Sequence, residues 1–357
     1  MNRKILAINP GSTSTKIAVY VETKLSFLKN IKHSTEELSE FKDITDQYEF
    51  RKNIILKELQ DANCEMNDIK AVVGRGGLIK PVPSGVYNVT ENLKTDLKVG
   101  VLGKHASNLG GLIADDIAKS LPDAKAYIAD PVVVDELCDL ARVSGHPEFE
   151  RKSIFHALNQ KAVARKYSAN VGKKYEDLNI IIVHLGGGIS VGAHNKGKVI
   201  DVNQALDGEG PFSPERSGTL PVGDLINLCF SGKYSKDQIK KMVVGQGGFT
   251  AYLGTNNAKE VYDRAVSGDE KAELIMNAMV YQVSKEIGAM FTVLEGNVDA
   301  IILTGGIAYN EAIVKKIIKR VARLGEVVVY PGEDEMEALA MNGLMVLQGE
   351  IIPMDYN

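Results

Sequence analysis

The feature that most constrains the fold of this chain is a hairpin pattern that occurs twice, about half a chain apart. The first copy, KILAINPGSTSTKIAVY over residues 4–20, is an apolar strand, a turn of glycine and hydroxyl residues, and a second apolar strand. The second copy, over residues 179–202, repeats this order around the turn Gly186–Gly188. Internal repetition of this kind predicts a duplicated domain, each copy of which begins with such a hairpin.

The first turn carries more hydroxyl and amide groups than a hairpin needs, because two residues suffice to close one. Ser12, Ser14 and Lys16 add hydroxyl groups and a cation to the backbone N–H groups of the turn. This combination favours an anion such as phosphate. An ordinary polar loop is the alternative, since turns rich in glycine and serine are common.

The chain has 357 residues, which is long for one hydrophobic core, so we expect two domains. We predict an N-terminal domain over 1–150 and a C-terminal domain over 151–337, with a helix over about 338–357 that packs back on the first. Strand patterns alternate with helical ones, as in α/β proteins. Helical spacing of apolar residues predicts helices over 105–120 and 270–294, among others.

Charge and cysteine content argue against several classes of protein. The net charge is −4, with 42 basic and 46 acidic residues and no basic run, which gives no indication of nucleic acid or anionic membrane as a partner. We find no signal peptide and no stretch long enough to span a membrane. The three cysteines lie far apart and predict neither a disulfide framework nor a zinc site. We therefore expect a cytoplasmic protein.

Glycine turns follow apolar strands at three places, and glycine there lets backbone amides approach a phosphate or a nucleotide. They are Gly11, Gly186–Gly188 and Gly305–Gly306. No segment has the Gly-x-x-x-x-Gly-Lys-Ser/Thr spacing of a P-loop, and the glycines of residues 74–77 lack the dinucleotide-binding spacing.

Together these segments resemble the acetate and butyrate kinase family, within the superfamily of sugar kinases, heat-shock ATPases and actin. The resemblance spans nearly the whole chain and is carried by INPGSTSTK, GRGGLIKPVPSGVY, ADPVVVDEL, IFHALNQ, HLGGGIS, ERSGTLP, LTGGIAYN and YPGEDEMEALA. Residues 74–87 are most similar to the butyrate-specific members. The resemblance implies an α/β protein with a two-lobed, duplicated ribonuclease-H-like (actin and sugar kinase-like) fold and a central nucleotide cleft.

The activity implied by the resemblance is a reversible, ATP-dependent phosphorylation of butyrate or a related short-chain or branched fatty acid, which gives the acyl phosphate and ADP. The implied cofactors are ATP/ADP and Mg²⁺, and the implied assembly is a homodimer or a larger homo-oligomer. An acetate, propionate or sugar kinase of the same fold is one alternative. An ATP-gated binding module is another.

The resemblance also implies roles for individual residues. A carboxylate substrate is already anionic at neutral pH, so phosphoryl transfer to it needs fixed cations rather than a general base. The implied catalytic residues are Arg75, Arg216, His184, His156 and Asp130. The implied phosphate-binding and nucleotide-binding residues are Asn9, Ser12, Ser14, Lys16, Gly186, Gly187, Gly188, Gly305, Gly306, Ile307 and Asn310. The implied metal-associated residues are Asp130, Asp334 and Glu335, of which the last two are alternatives within one acidic turn.

Most of these residues also have a structural interpretation. Arg75 suits a surface ion pair, His156 and His184 suit core histidines with satisfied ring nitrogens, and Asp130 suits a turn cap. The acidic residues 333–335 suit a solvated charge run.

Asn9 is a departure within the superfamily, because sugar kinases and actin-like ATPases usually carry Asp at this place. The neutral amide can still donate a hydrogen bond to a phosphate oxygen. A metal ion would then need carboxylates from elsewhere in the chain.

Overall fold

The computed structural model describes residues 3–357. They form two compact units. Unit 1 takes the chain up to Val134 and again over Asp334–Asn357, and unit 2 takes Asp135–Glu333. The chain therefore passes from unit 1 into unit 2 and returns.

The boundary between unit 1 and unit 2 lies after Val134, earlier in the chain than the predicted residue 150. The residues that directly follow Val134 form hydrogen bonds within unit 2. The Glu136 carboxylate accepts from Lys161 Nζ at 2.7 Å and from the Val199 N–H at 2.8 Å. The Cys138 N–H donates to the Ile200 carbonyl at 2.9 Å. These contacts fasten the start of unit 2 to one of its strands.

The strands are numbered in chain order over the described residues. They are β1 Lys4–Pro10, β2 Ser14–Val21, β3 Lys24–Lys32, β4 Ile69–Arg75, β5 Val86–Asn88, β6 Lys125–Ala129, β7 Asn179–Leu185, β8 Ile189–Asn195, β9 Lys198–Val202, β10 Ala300–Gly305 and β11 Val327–Pro331.

The helices are numbered in the same way. They are α1 Thr35–Ser39, α2 Tyr48–Asp61, α3 Glu91–Val99, α4 Asn108–Lys119, α5 Asp139–Arg142, α6 Ala157–Asn170, α7 Val222–Cys229, α8 Lys236–Val243, α9 Gly248–Leu253, α10 Ala258–Val266, α11 Glu270–Val293, α12 Glu311–Val321 and α13 Glu335–Gln348. Helices α4 and α11 confirm the predictions over 105–120 and 270–294. Among the helices of residues 3–357, none combines the length and hydrophobicity that crossing a lipid bilayer demands.

The two sheets share an order of five strands. In unit 1 the strand order is β3-β2-β1-β4-β6-β5, and in unit 2 it is β9-β8-β7-β10-β11. Each sheet starts with three antiparallel strands that are consecutive in sequence, and continues with two strands parallel to the first of these. The sheet of unit 1 has one further strand, β5, which is antiparallel to β6. The duplication predicted from the two hairpins is confirmed by this repeated order.

Each sheet is covered by helices that bury apolar side chains. In unit 1, α4 and α13 both pack on β4, where Val72 joins the cluster that contains α4 and Val73 meets α13 at Gly343. In unit 2, α11 and α12 pack with Ile181 of β7, and α6 packs with Ile182. Neighbouring residues of a strand point to opposite faces, so each central strand is buried on both sides. The C-terminal helix predicted to return to the first domain is α13, which belongs to unit 1.

Helix α4 approaches β4 closely enough to require glycine on both elements. A methyl group on Gly110 would overlap the Arg75 carbonyl and lie 2.9 Å from the Arg75 nitrogen, and one on Gly74 would overlap the backbone of Gly110. Because a Cβ atom cannot be accommodated against backbone, the approach of α4 fixes the end of β4, and with it Arg75.

We predict that Gly110→Ala destabilises the protein by about 1–3 kcal/mol, the usual range for overpacking. Thermal unfolding followed by circular dichroism checks this. Gly288→Ala in α11 is the matched control, because a methyl group there meets nothing within 4 Å and alanine favours a helix over glycine by about 1 kcal/mol. A Gly110→Ala variant as stable as Gly288→Ala would contradict the prediction.

Candidate active site

The parallel strands of unit 1 end at one edge of its sheet. Asn9 lies near the end of β1, Arg75 ends β4, and Asp130 directly follows β6. Lys16 of β2 pairs in register with Asn9. In open α/β sheets, ligands bind outside the carboxyl ends of the strands. The structure thus brings these predicted residues to the edge where a ligand is expected.

Arg75 is held by a carboxylate from the far end of the chain. Its Nη2 lies 3.0 Å from Glu335 Oε1, and its Nη1 donates to Glu335 Oε2 at 3.1 Å and to Asn9 Oδ1 at 3.3 Å. Asn9 Nδ2 donates to the same Glu335 oxygen at 2.5 Å. Two parallel bonds between a guanidinium and a carboxylate fix both groups in one plane. The ion pair that was the structural interpretation of Arg75 is therefore present.

The same contacts distinguish the two acidic candidates near the C-terminus. Glu335 is partly buried and belongs to the cluster with Asn9 and Arg75, whereas Asp334 is exposed. Among residues 3–357, no group of three or more His, Cys, Asp or Glu side chains is arranged to hold a metal ion. The metal-associated role of Asp130, Asp334 and Glu335 stays a prediction.

The turn of the first hairpin consists of Gly11, Ser12 and Thr13, between β1 and β2. Ser12 and Lys16 are exposed and Ser14 is partly buried. The Gly11 N–H donates to the Ser14 carbonyl at 2.7 Å, which closes the turn. The hydroxyl groups and the ammonium group can therefore meet an anion without a rearrangement of the strands.

Arg51 supports this turn on the side of its carbonyl groups. It was not predicted from the sequence. Its fully buried guanidinium donates to the carbonyls of Gly11, Ser12 and Ser14 at 2.8, 3.2 and 3.1 Å. Gln47 Oε1 accepts from Arg51 Nε and Nη2 and keeps the guanidinium in place. Burial lowers the pKa of Arg51 to about 10, so the group stays charged at neutral pH.

The contacts of Arg51 also orient the amides of the turn. In a trans peptide the C=O and N–H bonds point in opposite directions. Because Arg51 draws the Gly11 and Ser12 carbonyls to one side, the N–H groups of Ser12 and Thr13 point to the other. Within the described chain, neither N–H donates a backbone hydrogen bond. The turn thus presents an amide pair of the kind that binds anions.

Asp130 is buried and strained. Its φ angle is +36°, which is uncommon for a residue with a side chain. Its Oδ1 accepts from Ser84 Oγ at 2.6 Å and from the Gly85 N–H at 2.9 Å. Asp130 therefore caps a neighbouring turn through one oxygen, and strain of this kind is concentrated at functional sites.

The second sheet has an equivalent edge. His184 lies near the end of β7 and pairs in register with Thr304 of β10, and Gly305 pairs with Pro331 of β11. Gly305 has a φ angle of +89°, and a methyl group on it would overlap the backbone of Leu185. This turn requires glycine for that reason.

The two candidate histidines stack on each other in unit 2. The rings of His156 and His184 are 3.7 Å apart between centroids and inclined by 10°. His184 is buried, with Nδ1 2.8 Å from Asn159 Oδ1 and Nε2 3.0 Å from Glu333 Oε1. His156 Nδ1 lies 2.8 Å from Ser190 Oγ. The structure therefore places both histidines beside the second glycine turn.

Arg216 lies directly over this turn. A methyl group on Gly188 would overlap the guanidinium, so the absence of a side chain at Gly188 makes room for Arg216. Arg216 Nη1 donates to the Ala205 carbonyl at 2.7 Å, whereas its buried Nε has no hydrogen-bond partner among the described residues. Burial lowers the pKa of Arg216, although the nearby Glu215 opposes this.

A cavity of about 920 Å³ opens beside the glycine turns of unit 2. The predicted residues that line it are Gly186, Gly187, Gly306, Ile307 and Asn310. This volume is in the range of small-molecule sites. Asn310 is also the N-cap of α12, because its Oδ1 accepts from the N–H groups of Ala312 and Ile313 at 3.1 Å. Asn310 thus both caps α12 and lines the cavity.

Other residues that line the cavity are not part of a glycine turn and were not predicted from the sequence. They include Asn256, Asn257, Lys259, Tyr262, Asp263 and Lys315. They come from α10, α12 and the segment before α10. Their polar and charged side chains can contact a nucleotide, but nothing in the sequence near them distinguishes them from surface residues.

Comparison with known proteins gives consistent matches. A model of the acetokinase family matches residues 148–339. The chain is 58% identical over 353 residues to Butyrate kinase 1 of Clostridium acetobutylicum, which covers 99% of both chains. It is 56% identical over 348 residues to a probable butyrate kinase of Bacteroides thetaiotaomicron, which covers 98% of both.

Solved structures with low sequence identity share the fold. The acetate kinase of Porphyromonas gingivalis has a TM-score of 0.77 at 20% identity and covers 97% of this chain and 100% of its own. A propionate kinase of Francisella tularensis has a TM-score of 0.74 at 20% identity, with 95% and 98% covered. The family model covers more than half of the chain and the butyrate kinases align with it from end to end, so this chain is a member of the acetokinase family.

Proposed function

We propose that the chain catalyses the reversible transfer of a phosphoryl group from ATP to butyrate or a branched short-chain analogue. The observation that carries this proposal is the 58% identity with a butyrate kinase over 99% of both chains. The local chemistry supports it, because a guanidinium, an ammonium and two histidines lie at the sheet edges where α/β proteins bind their ligands.

The reaction forms one bond and breaks one bond at phosphorus. An oxygen of the substrate carboxylate attacks the γ-phosphorus, and the bond from phosphorus to the bridging oxygen breaks with its electron pair going to ADP. No proton has to leave the nucleophile, since a carboxylic acid is ionised at neutral pH. The barrier comes instead from repulsion between two anions, which fixed positive charges and hydrogen-bond donors reduce.

The residues of unit 1 suit the acid and the transferring group. The turn amides of Ser12 and Thr13, with the Lys16 ammonium, would bind phosphoryl oxygens. Arg75 would attract the substrate carboxylate through its permanent positive charge, while its bidentate ion pair with Glu335 holds the guanidinium in place. Glu335 thus keeps Arg75 oriented towards the edge of the sheet.

The residues of unit 2 suit the nucleotide. The cavity beside Gly306 and Ile307 would take adenosine, and the turn Gly186–Gly188 would bind phosphates through its backbone. Arg216 and His184 lie against this turn and would stabilise charge on the phosphoryl oxygens. ATP and ADP are accordingly the nucleotides of the proposed reaction.

Mg²⁺ fits the carboxylates of unit 1. This ion is usually bound by one or two carboxylates together with waters and substrate phosphates. Asp130, together with Asp334 or Glu335 as alternatives within one acidic turn, would supply the carboxylates that hold it. When bound, the ion would neutralise charge on the phosphates. By the same family resemblance, we propose a homodimer or larger homo-oligomer as the assembly.

The choice of substrate is tested by a series of acids of increasing length. We expect kcat/KM for ATP-dependent acyl phosphate formation, trapped as the hydroxamate, to be higher for butyrate or isobutyrate than for acetate and propionate. Glucose serves as the control acceptor for a sugar kinase. Equal or higher activity with acetate or glucose would overturn the proposed substrate.

Removal of Arg75 should separate catalysis from nucleotide binding. We expect Arg75→Ala to lower kcat for butyrate about a hundred- to thousandfold, the cost of one positioned donor at a charged transition state. ADP binding, measured by calorimetry, should be unchanged because the cavity is lined by residues of unit 2. The matched control is Arg323→Ala, at an exposed arginine. Turnover equal to that of this control would remove Arg75 from the mechanism.

Arg51 should matter for rate without touching substrate. We expect Arg51→Lys to lower kcat about a hundredfold, the effect of misplacing a binding group by about 1 Å, because an ammonium cannot reach all three turn carbonyls. Ile55→Val is the control, since Ile55 is buried on the same helix and its truncation costs about 1 kcal/mol of stability. If Arg51→Lys keeps the wild-type kcat, the turn does not depend on the guanidinium.

A further inference from the structure

A row of buried polar side chains leads from Tyr175 to His156 in unit 2. The Tyr175 hydroxyl lies 2.6 Å from His194 Nδ1, and His194 Nε2 lies 2.9 Å from Gln160 Oε1. Gln160 Nε2 donates to Ser190 Oγ at 2.8 Å, and Ser190 Oγ lies 2.8 Å from His156 Nδ1. The row ends at the ring that stacks on His184.

Secondary structure holds the members of this row on facing surfaces. Ser190 and His194 are four residues apart on β8 and therefore share one face of the sheet. His156 and Gln160 are four residues apart at the start of α6, one helical turn from each other. Gln160, Ser190 and His194 have no solvent exposure. Each polar atom in the row must therefore find its partner inside the protein.

One carbonyl fixes the orientation of Gln160. The side-chain nitrogen of Gln160 lies 3.2 Å from the Ser190 backbone oxygen, in addition to Ser190 Oγ. A backbone carbonyl can only accept a hydrogen bond, so the amide must present its NH₂ group to Ser190 and its oxygen to His194. His194 Nε2 therefore carries a proton and donates it to Gln160.

The direction in which the Ser190 hydroxyl donates follows from the same reasoning. Its hydroxyl oxygen accepts from Gln160, so its own proton is left to be donated. In the described residues, the other partner of this hydroxyl is His156 Nδ1. If Nδ1 instead carried a proton, the buried hydroxyl proton of Ser190 would have no acceptor, which costs about 1–3 kcal/mol. Ser190 therefore donates to His156 Nδ1.

At the other end, His194 is neutral. Its burial, and to a smaller extent the nearby Lys161, lowers its pKa well below the ordinary value. With the proton on Nε2, its Nδ1 accepts from the Tyr175 hydroxyl. All the hydrogen bonds of the row then run in one direction. Tyr175 donates to His194, and His194 donates to Gln160. Gln160 in turn donates to Ser190, and Ser190 donates to His156.

We infer that this row holds the neutral His156 ring in the tautomer with its proton on Nε2, so that Nε2–H is a fixed hydrogen-bond donor at the active site. Ser190, Gln160 and His194 are then positioning residues. On the proposed function, on which this role rests, the donor serves a phosphoryl oxygen during transfer. A proton on Nδ1 would turn Nε2 into an acceptor and repel that oxygen.

Nitrogen NMR of the protein labelled with ¹⁵N-histidine tests the inference directly. Two-bond and three-bond correlations distinguish the tautomers of each ring, and the signals of His156 are assigned by their loss in His156→Gln. We expect His156 of the substrate-free wild type, above the usual pKa of histidine, to be the Nε2–H tautomer with Nδ1 as acceptor. A wild-type ring that is protonated on Nδ1, or a mixture of tautomers, would overturn the inference without any further variant.

The catalytic consequence is tested with Ser190→Ala. We expect the hydrogen-bonded Nδ1 signal of His156 to be lost and kcat to fall about tenfold or more, by analogy with the partners that orient metal-ligating histidines, with KM for ATP within about twofold of wild type. Ser284→Ala is the matched control, because Ser284 is a buried serine of α11 whose hydroxyl, among residues 3–357, donates within its own helix to the Val280 carbonyl.

The NMR measurement and the Ser190→Ala experiment distinguish a failure of this inference from a failure of the proposed function. The tautomer is measured without substrate, so a wild type that fails to phosphorylate butyrate would overturn the proposed function and leave the tautomer result standing. A Ser190→Ala protein with wild-type kcat, or with unchanged His156 signals, would overturn the inference while butyrate phosphorylation stood.

Discussion

Strands β4 and β10 each lie parallel to the first strand of the hairpin that precedes them in sequence, and this pairing decides where polar groups can gather. The turn of each hairpin lies at the carboxyl end of its first strand, so it meets the carboxyl ends of the parallel neighbours. Arg75 and Asp130 lie at the same sheet edge as the first turn for this reason, and the Gly305 turn lies at the same edge as the second. The predicted site residues therefore gather at one edge of each sheet, whereas the central strands β4 and β10 are mostly apolar.

The parts of the site that could be predicted from sequence are those with a local signal. Gly11, Gly186–Gly188 and Gly305 stand out because glycine after an apolar strand has a specific backbone purpose. Lys16 could be predicted for the same reason, because it lies close after such a turn. The repeated hairpin was enough to predict the duplicated fold, because sheet topology follows from the order of strands and helices along the chain.

Residues that act through distant partners escaped prediction. Glu335 was one of two acidic candidates, and only the fold shows that it joins Arg75, which is 260 residues away. Arg51 lies in α2, a helix that buries few of its side chains, and the sequence gives no sign that this arginine is one of them. Gln160 and Ser190 are uncharged, although the four-residue spacing of His156 and Gln160, and of Ser190 and His194, is a signal that a search for paired polar positions could have found.

The return of the chain to unit 1 has a consequence for its synthesis. Asp334–Asn357 is synthesised after all of unit 2, yet it supplies α13 and Glu335 to unit 1. Domains generally begin to fold while the chain is still being made. Unit 2, which is continuous, can complete its core before Asp334–Asn357 has been synthesised, whereas the sheet of unit 1 stays uncovered on the face of α13 until then. The Arg75 guanidinium gains its carboxylate partner only after Glu335 has been synthesised, so proteolysis that removes the segment from Asp334 onward would leave the residues that line the cavity of unit 2 in place and Arg75 without that carboxylate.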